Sequence, residues 1–251
     1  MYPKTFYPGN MIKLEKYLDS TYLKTPQQAG ISPEETTERV RQLVEDCIRY
    51  GFALAMIRPE YVSMAKQMIR EAGSDVLTGT VIGFHEGTAP LSKKMEEARK
   101  AISDGADELD FVCNYPAYIR GETGYFKEEI REGTRYVLDR GKKIKWIIEV
   151  AALTPEQIAG ITRLIRQTVI EEVQPANPRD VFVKSSTGFY PVTEGKPAGA
   201  TFESMGIILE HARPLSVKAA GGVRTKNDAL KMIEMGVDRI GTSSAVAIVT
   251  E

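Results

Sequence analysis

Five times along this chain a stretch of helical character ends on a glycine that stands just ahead of a short apolar run: Gly51, Gly73, Gly105, Gly141 and Gly236. Glycine suits that place because the left-handed cap that closes a helix carries no Cβ penalty for it. Helix starts carry a matching signal. Ser32 precedes Pro33, Glu34 and Glu35, Thr154 precedes Pro155 and Glu156, and Thr225 stands three residues ahead of Asp228. In each, an N-cap hydroxyl meets proline or acids in the first turn. Eight strands are read, over 16–21, 52–57, 76–84, 108–114, 145–150, 181–186, 216–220 and 239–243, with helical stretches between them. The strands are mostly apolar on both faces, as in a parallel sheet covered on both sides. Eight such units favour a closed α/β barrel, a (β/α)8 TIM barrel, over an open doubly wound sheet. The 251 residues suit one such barrel, and no linker or composition shift marks a second domain, so a single catalytic domain over 1–251 is expected.

Two strands carry a lysine where a core residue belongs. In DVFVKSSTG, Val181 and Val183 share one face while Phe182 and Lys184 share the other, and LSVKAAGG repeats the design with Lys218. If both strands belong to one sheet, two ammonium groups point into one interior. Like charges held close and poorly solvated favour the neutral amine, which is the nucleophile of Schiff-base chemistry. The plainer alternative is a strand-end lysine that reaches out to water.

Asp110, inside the apolar LDFVCN, needs a partner to offset its burial. The two lysines or a bound water could serve, leaving a proton relay and a salt-bridge anchor both open. Lys145 and Glu149 share parity on the next strand and either extend this polar network or form a structural ion pair.

In such barrels the C-terminal strand ends carry the site. Asp19, residues 83–87, Asp110, Asn114, Glu149, 184–188, 218–224 and 241–244 fall there, and 115–125 and 190–201 read as the longest loops, candidates for substrate contacts or a lid. After the last two strands come Gly221, Gly222, Gly241, Ser243 and Ser244. Glycine backbone N–H groups and serine hydroxyls suit an anion, and these loops are the habitual phosphate site of the architecture. Tight-turn packing is the alternative. Arg224 either adds charge there or fixes the loop.

Composition narrows the chemistry. A formal net charge of -1 gives no global field for nucleic acid or an anionic membrane, so an anionic substrate needs a local site. The N-terminus lacks a signal-type apolar core and no run approaches a membrane span, so a cytoplasmic location is expected. Cys47 and Cys113 are too few for a disulfide framework, and His85 and His211 are too far apart for a histidine zinc site. Carboxylates could still hold magnesium, but no metal and no cofactor are expected, and an enzyme that must stabilise a carbanion without them has an imine on lysine as the obvious electron sink.

GADELDFVCN, VFVKSSTGF, VKAAGGVRT and RIGTSS, in that order, resemble the signature segments of the deoxyribose-phosphate aldolase family, with DSTYLK and TVIGF in support. The resemblance spans nearly the whole chain. It implies a class I aldolase on a (β/α)8 barrel that reversibly cleaves 2-deoxy-D-ribose 5-phosphate to acetaldehyde and D-glyceraldehyde 3-phosphate without metal. By the same resemblance Lys184 would form the imine, Lys218 would lower its pKa, Asp110 would join a proton relay, and Lys145 falls on a further lysine position. Gly188, Gly221, Gly222, Gly241, Ser243 and Ser244 fall on phosphate-binding segments. The third loop, GFHEG, differs by placing His85 and Glu86 near the mouth, Met56 stands where many members carry cysteine, and 190–199 is longer than the usual connection. A related Schiff-base aldolase with a different aldehyde or sugar-phosphate substrate, a phosphosugar isomerase or epimerase using Asp110 and Glu149, or a silent phosphosugar-binding protein would use the same fold. Self-association into a homo-oligomer is compatible with the sequence.

Overall fold

A computed structural model describes residues 12–192 and 199–251. Its strands are β1 (Leu18–Tyr22), β2 (Leu54–Ile57), β3 (Leu77–Ile82), β4 (Glu108–Val112), β5 (Lys143–Ile147), β6 (Val181–Lys184), β7 (Ser216–Ala220) and β8 (Arg239–Thr242). Each pairs in parallel with the next, and β8 closes onto β1. The main helices are α1 (Pro33–Tyr50), α2 (Val62–Glu71), α3 (Leu91–Ser103), α4 (Thr123–Leu138), α5 (Pro155–Gln167), α6 (Phe202–Ala212), α7 (Lys226–Met235) and α8 (Ala245–Thr250). The expected (β/α)8 barrel is the fold.

The local signals act as read. Ser32 and Thr154 form reciprocal capping boxes with Glu35 and Gln157, and the Thr225 hydroxyl accepts from the Asp228 N–H. The five glycines at helix exits all have positive φ, from 59° to 108°. Each helix then turns an apolar stripe to the sheet: Val40, Val44 and Cys47 from α1, Ile158, Ile161 and Ile165 from α5. Under α4, the Trp146 indole donates to the Thr134 hydroxyl at 3.0 Å, and a Cβ at Gly133 would stand 2.8 Å from its ring. That glycine is what lets the indole lie against the helix.

Several bounds differ from expectation, each for a local reason. Residues Leu14–Tyr17 form a 3-10 turn and not the start of β1. Strand β3 stops at Ile82 because Gly83 turns to φ 63°, and β5 stops at Ile147, two residues before Glu149 takes φ 56°. The stretch 115–125 is not a loop. Asn114 accepts from the Ala117 N–H and Pro116 sits in the first turn, so Tyr115–Ile119 is a short helix and α4 begins at Thr123. After α5 the chain continues as a π-helical Thr168–Val173. Of the long connection read at 190–201, residues 193–198 lie outside the described residues. Among the described residues no helix is long and apolar enough to cross a membrane.

Candidate active site

Register puts the key side chains together. Lys184 of β6 is the cross-strand partner of Lys218 of β7, and Asp110 of β4 is the partner of Lys145 of β5. Neighbours in register share a face, and here that face is the barrel interior. Asp110 Oδ2 accepts from the Lys184 and Lys218 ammonium groups, at 2.8 Å each, while Oδ1 accepts from Lys145 at 2.8 Å. Lys145 also meets Glu108 at 2.5 Å and Lys218 meets Asp19 at 2.6 Å. Arg239 closes the network by donating to Asp19 and Glu108. The carboxylate of Asp19 therefore lies within the interior network and not at a strand end. Glu149 is not part of it: its Oε2 accepts from the N–H and hydroxyl of Thr187, so no Lys145–Glu149 pair forms.

The charges do not balance. Among the described residues four cations, Lys145, Lys184, Lys218 and Arg239, surround three carboxylates, Asp19, Glu108 and Asp110. Burial would raise the Asp110 carboxyl, but Lys145, Lys184 and Lys218 outweigh it and hold the group well below the usual range. Burial would lower the Lys145 amine, yet Asp110, Glu108 and Asp19 raise it above its ordinary value. Lys184 comes out the other way. Burial is the largest influence on its amine, Asp110 opposes it, Lys218 and Lys145 add to it, and the result is a pKa lowered to about 8. The like-charge argument thus supplies the smaller part of the shift, and desolvation the larger.

Lys184 alone among these ions lines a cavity of about 530 Å³ at the C-terminal mouth. Gly188, Gly221, Gly222, Arg224, Gly241 and Ser243 line the same cavity, while Asp110, Lys145 and Lys218 do not. Space for a ligand is real at two of these positions: a Cβ on Gly188 or Gly222 would meet nothing within 4 Å. Ser244 does not line the cavity; it sits at the start of α8 with its N–H donating to the Thr242 hydroxyl at 3.0 Å.

The chain has named relatives. No family model matches the chain. The deoxyribose-phosphate aldolase of Thermococcus gammatolerans is 39% identical over 237 residues, 94% of this chain and 95% of its own length. That of Thermococcus kodakarensis is 38% identical over 241 residues, 96% and 97% of the two chains. The chain belongs to the deoxyribose-phosphate aldolase family. A solved deoxyribose-phosphate aldolase from Aeropyrum pernix, described as tetrameric, superposes with a TM-score of 0.75 at 29% identity, covering 94% of this chain and 89% of that one.

Against that family background, the departures noted in the sequence acquire positions. Met56 packs with Leu23, Leu54 and Val81 in a small apolar cluster, and a Cβ on Gly79 would run into Leu54 and Met56 at 2.7 Å. His85 stacks on Phe189, with ring centroids 5.8 Å apart, and Phe84 meets Phe189 edge-on at 5.1 Å. Phe189 lines the cavity, so the GFHEG loop buttresses its wall. Sequence reasoning missed Lys24 and Arg39, which also line the cavity. A lysine after a strand and an arginine on an amphipathic helix carry no local signal of a site.

Proposed function

We propose that this chain is a Schiff-base aldolase that reversibly cleaves 2-deoxy-D-ribose 5-phosphate to acetaldehyde and D-glyceraldehyde 3-phosphate. One observation carries the reading: among the described residues the one lysine of the buried ion network that reaches the cavity, Lys184, has its amine lowered to about 8. At neutral pH a useful fraction of such an amine is unprotonated and nucleophilic, whereas an ordinary lysine is almost wholly protonated.

Lys184 Nζ adds to the aldehyde carbon of the open-chain sugar and water leaves, giving a protonated imine. Loss of the proton from the 3-hydroxyl forms the carbonyl of glyceraldehyde 3-phosphate as the bond between carbons 2 and 3 breaks, and its electron pair enters the imine to give a neutral enamine. Carbon 2 then takes a proton, and water releases acetaldehyde and restores the amine. Proton custody falls to Asp110 with Lys218 and Lys145. While Lys184 is cationic, three ammonium groups keep Asp110 ionised. Enamine formation removes one of those positive charges, which raises the proton affinity of the carboxylate at the step where a proton must be held. Gly188, Gly221, Gly222, Arg224, Gly241 and Ser243 hold the phosphate, with Ser244 at the start of α8 beside them. Their contacts are remote from the reacting bond and serve to position it.

Borohydride reduction in the presence of deoxyribose 5-phosphate tests the reading. The expected outcome is a stable two-carbon adduct on Lys184 by peptide mass mapping. An unmodified Lys184 under turnover conditions would exclude the covalent route and leave an isomerase or a binding protein. Self-association belongs to the same reading by analogy with the tetrameric Aeropyrum pernix relative, and light scattering checks it.

A further inference from the structure

Three exposed cations line the cavity: Lys24, Arg39 and Arg224. Arg224 follows β7, but the other two come from the opposite end of the chain, Lys24 from the segment after β1 and Arg39 from α1. Closure of β8 onto β1 is what brings these sectors side by side. None of the three forms an ion pair among the described residues, whereas the guanidinium groups of Arg131, Arg179, Arg213 and Arg239 all meet carboxylates. In a chain of net charge -1 this is a local concentration of unspent positive charge.

Both side chains stand on anchored backbone. The Leu23 carbonyl, just before Lys24, accepts from Arg58 Nε at 2.9 Å, and Thr25, just after it, forms a capping box with Gln28. On α1, Thr36 and Val40 are buried on either side of Arg39. In the same cavity, the N–H groups of Gly188 and Gly222 donate to no acceptor among the described residues. A cavity that offers free amides together with two cations carried on anchored backbone is complementary to a group of charge near −2, the state of a phosphate monoester at neutral pH.

We propose that Lys24 and Arg39 complete the phosphate site from the β1 sector and set the preference for phosphorylated over neutral sugars. This rests on the sugar-phosphate reading of the cavity. The two residues act before and during binding and do not touch the reacting carbons, so their effect falls on KM, with kcat nearly unchanged. Part of the effect is long-range attraction and weakens with salt.

The test is the ratio of kcat/KM for 2-deoxyribose 5-phosphate to that for unphosphorylated 2-deoxyribose, measured on the wild type, Lys24→Gln, Arg39→Gln, the double variant and Arg70→Gln. Arg70 is an exposed cation on α2 that does not line the cavity, so its variant controls for net charge. Each single substitution is expected to lower the ratio about fivefold and the double about twentyfold, the scale of one exposed charge contact each. The double variant is also expected to show a shallower fall of kcat/KM with salt for the phosphorylated substrate. A double variant with the wild-type ratio overturns the inference, and so does an equal loss in Arg70→Gln. A wild type that cleaves neutral deoxyribose but gains nothing from the phosphate overturns it as well while leaving the Schiff-base reading intact; a wild type that cleaves neither sugar removes both.

Discussion

Among the described residues four lysines, Lys94, Lys145, Lys184 and Lys218, are almost entirely buried against carboxylates, and Lys94 and Lys184 mark the two extremes, one built to hold the fold and the other equipped for chemistry. Lys94, on α3, donates to the Gly87 carbonyl at 2.6 Å, the Val112 carbonyl at 2.8 Å and Glu129 Oε1 at 2.5 Å. An ammonium has three N–H groups, so Lys94 is saturated. It ties the GFHEG loop and the end of β4 to α4, whose Glu129 also accepts from the Asn114 N–H at 2.7 Å. Among the described residues Lys184 has a single ion-pair partner, Asp110, and that oxygen is shared with Lys218. Burial is common to both. What separates them is how many acceptors each ammonium receives and whether its nitrogen faces a cavity. A fully satisfied buried cation holds parts of the fold in place, while an under-satisfied one beside open space can give up its proton and attack.

Replacing each lysine by methionine sharpens this contrast most directly. Lys184→Met is expected to fold and to lose about 10⁴-fold or more in kcat/KM, the usual scale for removing a covalent nucleophile. Steady-state cleavage assays check it, and a variant retaining a tenth of the wild-type rate would break the comparison. Lys94→Met is expected to do the reverse. It leaves Glu129 and two carbonyls buried without their donor, at about 3–5 kcal/mol of stability, while the fraction that remains folded keeps a kcat near that of the wild type. Urea unfolding and active-site titration together separate the two effects.

Much of this was legible in the chain, and the boundary is instructive. The barrel was readable because its evidence is local and repeated: caps, glycine exits and apolar strands. Lys184, Lys218 and Asp110 were readable because a charge inside an apolar strand violates a short pattern. Lys94 was not, because in LSKKMEEARK it sits among the charges of an amphipathic helix and its partner Glu129 lies 35 residues away on another one. The Asp19 to Lys218 contact and the pairing of Arg239 with Glu108 were hidden for the same reason: they arise only when β8 closes onto β1. Pattern reports which residues are unusual, and only closure reports who neutralises whom.

A difference in stability curves gives the next test. The Lys184 amine titrates at about 8 in the folded protein against an ordinary value of 10.5. Between these values the unfolded chain holds a proton that the native one does not, so stability attributable to this group rises with pH across that window. Below pH 8 the native state carries the full penalty, about 3 kcal/mol at 1.36 kcal/mol per pKa unit. Lys184→Met removes it. The variant is therefore expected to exceed the wild type in stability near pH 7 by up to about 3 kcal/mol, with the gap closing toward pH 10.5. Chemical unfolding at a series of pH values checks this, and a gap independent of pH would mean that the amine is not depressed by folding.

The smallest effect concerns the two contributions to that depression. The pH profile of kcat/KM reports the free enzyme, so for the wild type it is expected to rise through about 8 as Lys184 loses its proton. Lys218→Leu takes away one cation that lowers the amine and leaves Asp110 freer to stabilise the charged form, both of which move the limb upward. Because burial is the largest influence and remains in place, the move is expected to be about one unit and not a return to the ordinary lysine value. A limb that climbs all the way would give the crowding cation the leading role after all. A limb that stays where it was would assign the depression to desolvation alone, and would reduce Lys218 to a second saturated ion of the Lys94 kind.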